Sequence, residues 1–81
     1  MRAYILLKVS PQETMSLMRN LKEEQGITQA SVIHGPYDCL VEVEAKDLDE
    51  INQIMMRIRA MAGVIETLTC LVVQSWRRSK P

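Results

Sequence analysis

Two short segments carry side chains that could hold a ligand. Gly35-Pro36-Tyr37-Asp38 offers backbone groups, a phenol and a carboxylate, and Gly63-Val64-Ile65-Glu66-Thr67-Leu68-Thr69 offers further backbone groups and two hydroxyls. A carboxylate accepts from an ammonium, and hydroxyls and backbone N–H groups donate to a carboxylate, so this set suits a zwitterion.

The inventory for catalysis is thin. His34 is the single histidine, and no Ser/His/Asp or Cys/His arrangement is visible, which argues against an enzyme. Next to a Gly-Pro turn, His34 reads as a solvated hairpin residue. Cys39 and Cys70 lack CxxC spacing and read as reduced core residues, with no metal site and no cofactor expected. The acids between Asp38 and Glu50 read as a solvated or interface-paired set. Methionines 15, 18, 55, 56 and 61 stand in for the absent phenylalanine as core filling.

The elements that position these segments are legible from pattern. Arg2 to Val9 is β-rich and almost wholly apolar. Ser10-Pro11-Gln12-Glu13 reads as a capping box, with Pro at the first helical position. Thr14, Leu17, Met18 and Leu21 then recur at helical spacing with Met15 beside them, until Gly26 stops a helix of about 13 residues. Ile27 to Ile33 reads as a strand and His34 to Asp38 as a turn, so a hairpin leads into Cys39 to Ala45. There Cys39, Val41, Val43 and Ala45 share one face, and Glu42 and Glu44 point to the other. Asp47-Leu48-Asp49-Glu50 is a second capping box. It opens a helix whose stripe is Leu48, Ile51, Ile54, Met55, Ile58 and Met61, ending at Gly63, and Val64 to Val73 is the last strand.

Ser10 and Asp47, Glu13 and Glu50, Gly26 and Gly63, and Ile27 and Val64 are each 37 positions apart. Two similar half-units have been laid end to end. Right-handed crossovers and the central hairpin then leave one economical topology, a ferredoxin-like α+β fold (βαββαβ). Its four-stranded antiparallel sheet has the order 4-1-3-2, with both helices on one face. In that order the third and fourth strands stand about 9.6 Å apart, beyond disulfide reach for Cys39 and Cys70. The expected layout is one ligand-binding domain over residues 1–76 and a basic, frayed tail at 77–81.

Two helices cover only one face of such a sheet. Tyr4 and Leu6 in the first strand, with Leu68, Cys70 and Val72 in the last, make the other face apolar as well. An apolar patch of several hundred square ångströms calls for burial against a second chain. A chain of 81 residues also buries a small core, so self-association is expected on stability grounds. The ten basic and ten acidic groups balance, but residues 1–76 hold seven basic against ten acidic, which disfavours nucleic-acid binding. Arg77, Arg78 and Lys80 are too few to argue for DNA. The apolar run Ala3 to Leu7 is too short for a signal peptide or a membrane span, so the expected location is cytoplasmic.

Gly35-Pro36-Tyr37-Asp38-Cys39-Leu40-Val41-Glu42-Val43 and Gly63-Val64-Ile65-Glu66-Thr67-Leu68-Thr69-Cys70-Leu71-Val72 resemble the G-x-Y-D-hydrophobic-x-V-x-V and G-V-x-x-T-x-T-x-hydrophobic-V stretches of the Lrp/AsnC family. More narrowly, they are similar to its C-terminal effector-binding module, the RAM domain, over residues 3 to 73. The resemblance implies sheet-paired dimers of dimeric α/β-barrel type and assembly into an octamer or decamer. It also implies small-molecule effectors, usually amino acids, held between dimers, with a site drawn from Gly35, Tyr37, Asp38, Thr67 and Thr69. The chain starts directly at the first strand, where the usual family member has a helix-turn-helix domain. It therefore looks like a stand-alone module without direct DNA binding, acting on transcription by co-assembly with full-length Lrp/AsnC-type regulators. Two alternatives remain: a small dimeric α/β-barrel enzyme, which needs polar groups in a pocket between sheet and helices, and an ACT-like amino-acid-binding module, which pairs through a different surface.

Overall fold

The computed structural model describes residues 1–79. Its elements are β1 (Arg2–Val9), a 3-10 turn (Pro11–Glu13), α1 (Thr14–Lys22), β2 (Ile27–Val32), β3 (Cys39–Glu44), α2 (Leu48–Arg59) and β4 (Val64–Leu71). The sheet order β2-β3-β1-β4, antiparallel throughout, is the ferredoxin-like arrangement expected from the sequence.

Period-two alternation decides which residues reach the core. Ala3, Ile5, Leu7 and Val9 of β1 are buried, as are Cys39, Val41, Val43 and Ala45 in and just after β3. Leu17 and Leu21 of α1, with Ile51, Ile54 and Ile58 of α2, pack onto them as one cluster. Three expected members lie outside it: Met15 is 73% exposed, Met56 60% and Leu48 45%.

The two helix starts differ. Asp47 caps α2 by accepting from Glu50 N–H at 2.9 Å, while the Glu50 carboxylate reaches Lys46 N–H. Ser10 caps nothing, contrary to the expected box; its hydroxyl donates to Gln12 Oε1 at 2.9 Å. The 3-10 turn explains this, because Glu13 N–H, the donor a cap would take, already bonds Ser10 C=O at 2.9 Å. Both helix stops need glycine. Gly26 and Gly63 have φ of +91° and +94°, and a Cβ would run into Ile54 at the first and Glu13 at the second.

The open sheet face carries Tyr4, Leu6 and Lys8 from β1 beside Cys70, Leu68 and Glu66 from β4. Leu68 is 44% exposed and Cys70 is exposed too, which corrects its reading as a core residue. Val72 N–H bonds Arg2 C=O at 2.9 Å, Arg2 Nη2 donates to Ser75 Oγ at 2.8 Å, and Arg77 reaches a hollow on the open face beside Tyr4, Leu40 and Glu42. Trp76 remains 76% exposed and leaves the patch uncovered. Lys80 and Pro81 of the expected basic tail lie outside the described residues.

Candidate functional site

The hairpin between β2 and β3 is built around Asp38. Its C=O accepts from Ile33 N–H at 2.9 Å, closing the turn, and its N–H donates to Leu7 C=O of β1 at 2.8 Å, tying the turn to the next strand. The β1–β4 register shifts between Lys8 and Val9, and the Asp38 carboxylate takes up Val9 N–H through Oδ2 at 2.8 Å. Among the described residues Oδ1 accepts no hydrogen bond, so the exposed carboxylate keeps one oxygen for another donor.

Tyr37 turns toward β4. Its hydroxyl donates to Glu66 Oε2 at 3.3 Å, and Lys8 Nζ lies 5.7 Å from the ring centroid. Partial burial, then the Glu66 charge and the hydrogen bond to it, raise the phenol pKa above its ordinary 10.0. Lys8 and Glu66 are direct cross-strand neighbours, and Tyr37 reaches over both from the hairpin.

Thr67 and Thr69 pair across the ladder with the fully buried Leu7 and Ile5. They therefore face the helix side of β4, whereas Glu66 and Tyr37 meet at the open side. Gly35 lies exposed in the hairpin with nothing within 4 Å of the place a Cβ would take. The structure thus brings Tyr37 and Asp38 together, sets Thr67 and Thr69 around the edge of β4, and leaves Gly35 in solvent. An open hollow of about 440 Å³ at the start of β4 bridges the two sides, lined by Arg59, Val64, Ile65, Glu66 and Thr67.

Lys8, Arg59 and Glu66 escape the sequence reading. Lys8 and Glu66 have a signal, since both take the outward phase of adjacent antiparallel strands, but only the register shows them opposite each other. Arg59 has none, because its place beside β4 depends on how α2 lies on the sheet. His34 is exposed, and among the described residues no three His, Cys, Asp or Glu side chains are grouped to hold a metal ion. No helix there is long and apolar enough to cross a membrane.

A family model described as the Lrp/AsnC ligand binding domain matches residues 2–81. A homocitrate synthase of Sulfurisphaera tokodaii is 48% identical over 61 residues; the match takes in 75% of this chain, which spans only 13% of that enzyme's length. A hypothetical protein of Pyrococcus horikoshii superposes with a TM-score of 0.80 at 28% identity, covering 91% of this chain and 90% of its own. The Neisseria meningitidis transcriptional regulator NMB0573, solved as its L-Met complex, has the same fold, with a TM-score of 0.87 at 11% identity; 96% of this chain covers 53% of that one.

Proposed function

The chain belongs to the Lrp/AsnC ligand-binding domain family, a family of small-molecule-binding regulatory modules, and from that premise we propose that it is an oligomeric sensor of an amino acid. The observation that carries this reading is the family match across residues 2–81, joined to a site whose charges suit a zwitterion. Asp38 Oδ1 and Glu66 supply acceptors for an ammonium; Arg59 and the Thr67 hydroxyl, at the start of β4, supply donors for a carboxylate. Thr69 and the Gly35 backbone complete the shell. Because the two threonines and Tyr37 approach β4 from opposite sides, a second copy closing over that edge completes the site. The Neisseria regulator bound to L-Met supports an amino-acid effector for the fold.

The module's output goes to a partner chain. In one form it co-assembles with a full-length Lrp/AsnC-type regulator. A second form is favoured by the 48% identity to a segment of homocitrate synthase, which places a related module inside an enzyme. On that reading the domain tunes an enzyme rather than a promoter and carries no catalytic group itself.

Thermal shift against the twenty amino acids tests the proposal, with each hit repeated as its amine and as its carboxylic acid. A shift that needs both charged groups is expected; a shift retained by either analogue alone overturns the zwitterion site.

A further inference from the structure

Beside the sheet's β2 edge, α1 leaves an open groove of about 480 Å³ at the margin of the core, apart from the proposed effector site. Met15, Met18, Ile27 and Ala30 form its floor, and Arg19 and Lys22 form its rim. Met15 is 73% exposed although its side chain belongs to the apolar set of α1. An apolar, methionine-lined floor between two cations calls for an apolar knob flanked by carboxylates.

The chain carries such a knob. Of the large apolar side chains exposed among the described residues, Leu48 alone is flanked by three carboxylates, Asp47, Asp49 and Glu50. It is the first residue of α2 and 45% exposed, in a turn fixed by the Asp47 cap. We propose that the α1/β2 groove receives the Leu48 turn of a second copy, with Arg19 and Lys22 meeting Asp49 and its neighbouring carboxylates. Groove and knob are different patches of one chain, so the contact is heterologous and joins copies head to tail. It is independent of the open sheet face and of the β4 edge, and it rests on the oligomeric reading above only in adding a further contact between copies to it.

Sedimentation velocity on the full chain tests this with three variants: Arg19→Glu with Lys22→Glu, those two combined with Asp49→Lys and Glu50→Lys, and Leu68→Glu alone. Far-UV circular dichroism checks that each stays folded. Wild type is expected to exceed a dimer at high micromolar concentration, the rim reversal to weaken that larger assembly at least tenfold, and the fourfold reversal to restore it. A wild type no larger than a dimer, a rim reversal without effect, or a fourfold reversal that does not restore assembly overturns the groove contact. Leu68→Glu reports separately on the sheet face: loss of the dimer there supports face pairing, and an unaffected dimer overturns face pairing while leaving the groove to the charge-reversal result.

Discussion

The Asp38 carboxylate accepts from Val9 N–H at 2.8 Å, where β1 slips register against β4. The backbone of Asp38 thus closes the hairpin, while its side chain satisfies a β1 donor beyond the end of the β1–β3 pairing and presents its second oxygen outward. Structural and ligand roles separate by substitution. Asp38→Ala leaves a largely buried N–H without a partner and should lower stability by about 1–3 kcal/mol, read by denaturant titration. Asp38→Asn keeps an acceptor for Val9 but removes the charge. It should stay near wild-type stability and lose about 1.5–3 kcal/mol of effector affinity by calorimetry, the worth of a hydrogen bond to a charged group. An Asn variant with undiminished affinity would confine Asp38 to the hairpin.

The open sheet face should hold the dimer together. Leu68 pairs directly with Leu6 at its centre, so Leu68→Glu would bury an unpaired charge in the interface at a cost of several kcal/mol. Light scattering should show monomers where wild type is at least a dimer. A wild type that scatters as a 9.3 kDa particle at every concentration contradicts the account.

Tyr37 should ionise above the ordinary tyrosine value, because partial burial and Glu66 both favour the neutral phenol. The folded state then holds this proton more tightly than the unfolded chain. The associated stability is present below pH 10.0 and is lost as pH rises through the folded pKa. Spectrophotometric titration should show the high-pH phase vanish in Tyr37→Phe and move down in Glu66→Gln. An unmoved phase in Glu66→Gln would remove Glu66 as a cause.

The two thiols should differ in reactivity. Burial, then the nearby Asp38 charge, push the Cys39 thiol pKa up, while Cys70 lies exposed on the open face. In a slightly alkaline solution, folded Leu68→Glu, whose open face is uncovered, should alkylate Cys70 and spare Cys39, whereas the wild-type dimer should protect both, as peptide mass spectrometry would show. Protection of Cys70 that disappears in Leu68→Glu would further place it inside the dimer.

Most of the fold was legible because each element announces itself locally. Alternation from Cys39 to Ala45 sets a half-buried strand, Asp47 and Glu50 mark the start of α2, and glycine at 26 and 63 marks both helix stops. The Ser10 cap misled because Ser-Pro-Gln-Glu has the composition of a capping box, and composition does not reveal that Glu13 N–H is spent on Ser10 C=O. The candidate site was legible only in part. Tyr37 and Asp38 stand out beside a Gly-Pro turn, but the sides that Thr67 and Thr69 take relative to Tyr37 follow from register and from the reach of one side chain to Glu66. Arg59 enters through helix docking, which no local pattern encodes.

The central claim, that a zwitterion binds between the hairpin and the start of β4, is tested most directly by following backbone amide NMR signals during titration with each amino acid. The account predicts saturable shifts for at least one amino acid, clustered at Gly35 to Asp38, Arg59 and Glu66 to Thr69. That amino acid should bind with a Kd tighter than about 1 mM, or roughly −4.1 kcal/mol. No saturable shift with any amino acid, or shifts gathered away from these residues, would contradict it.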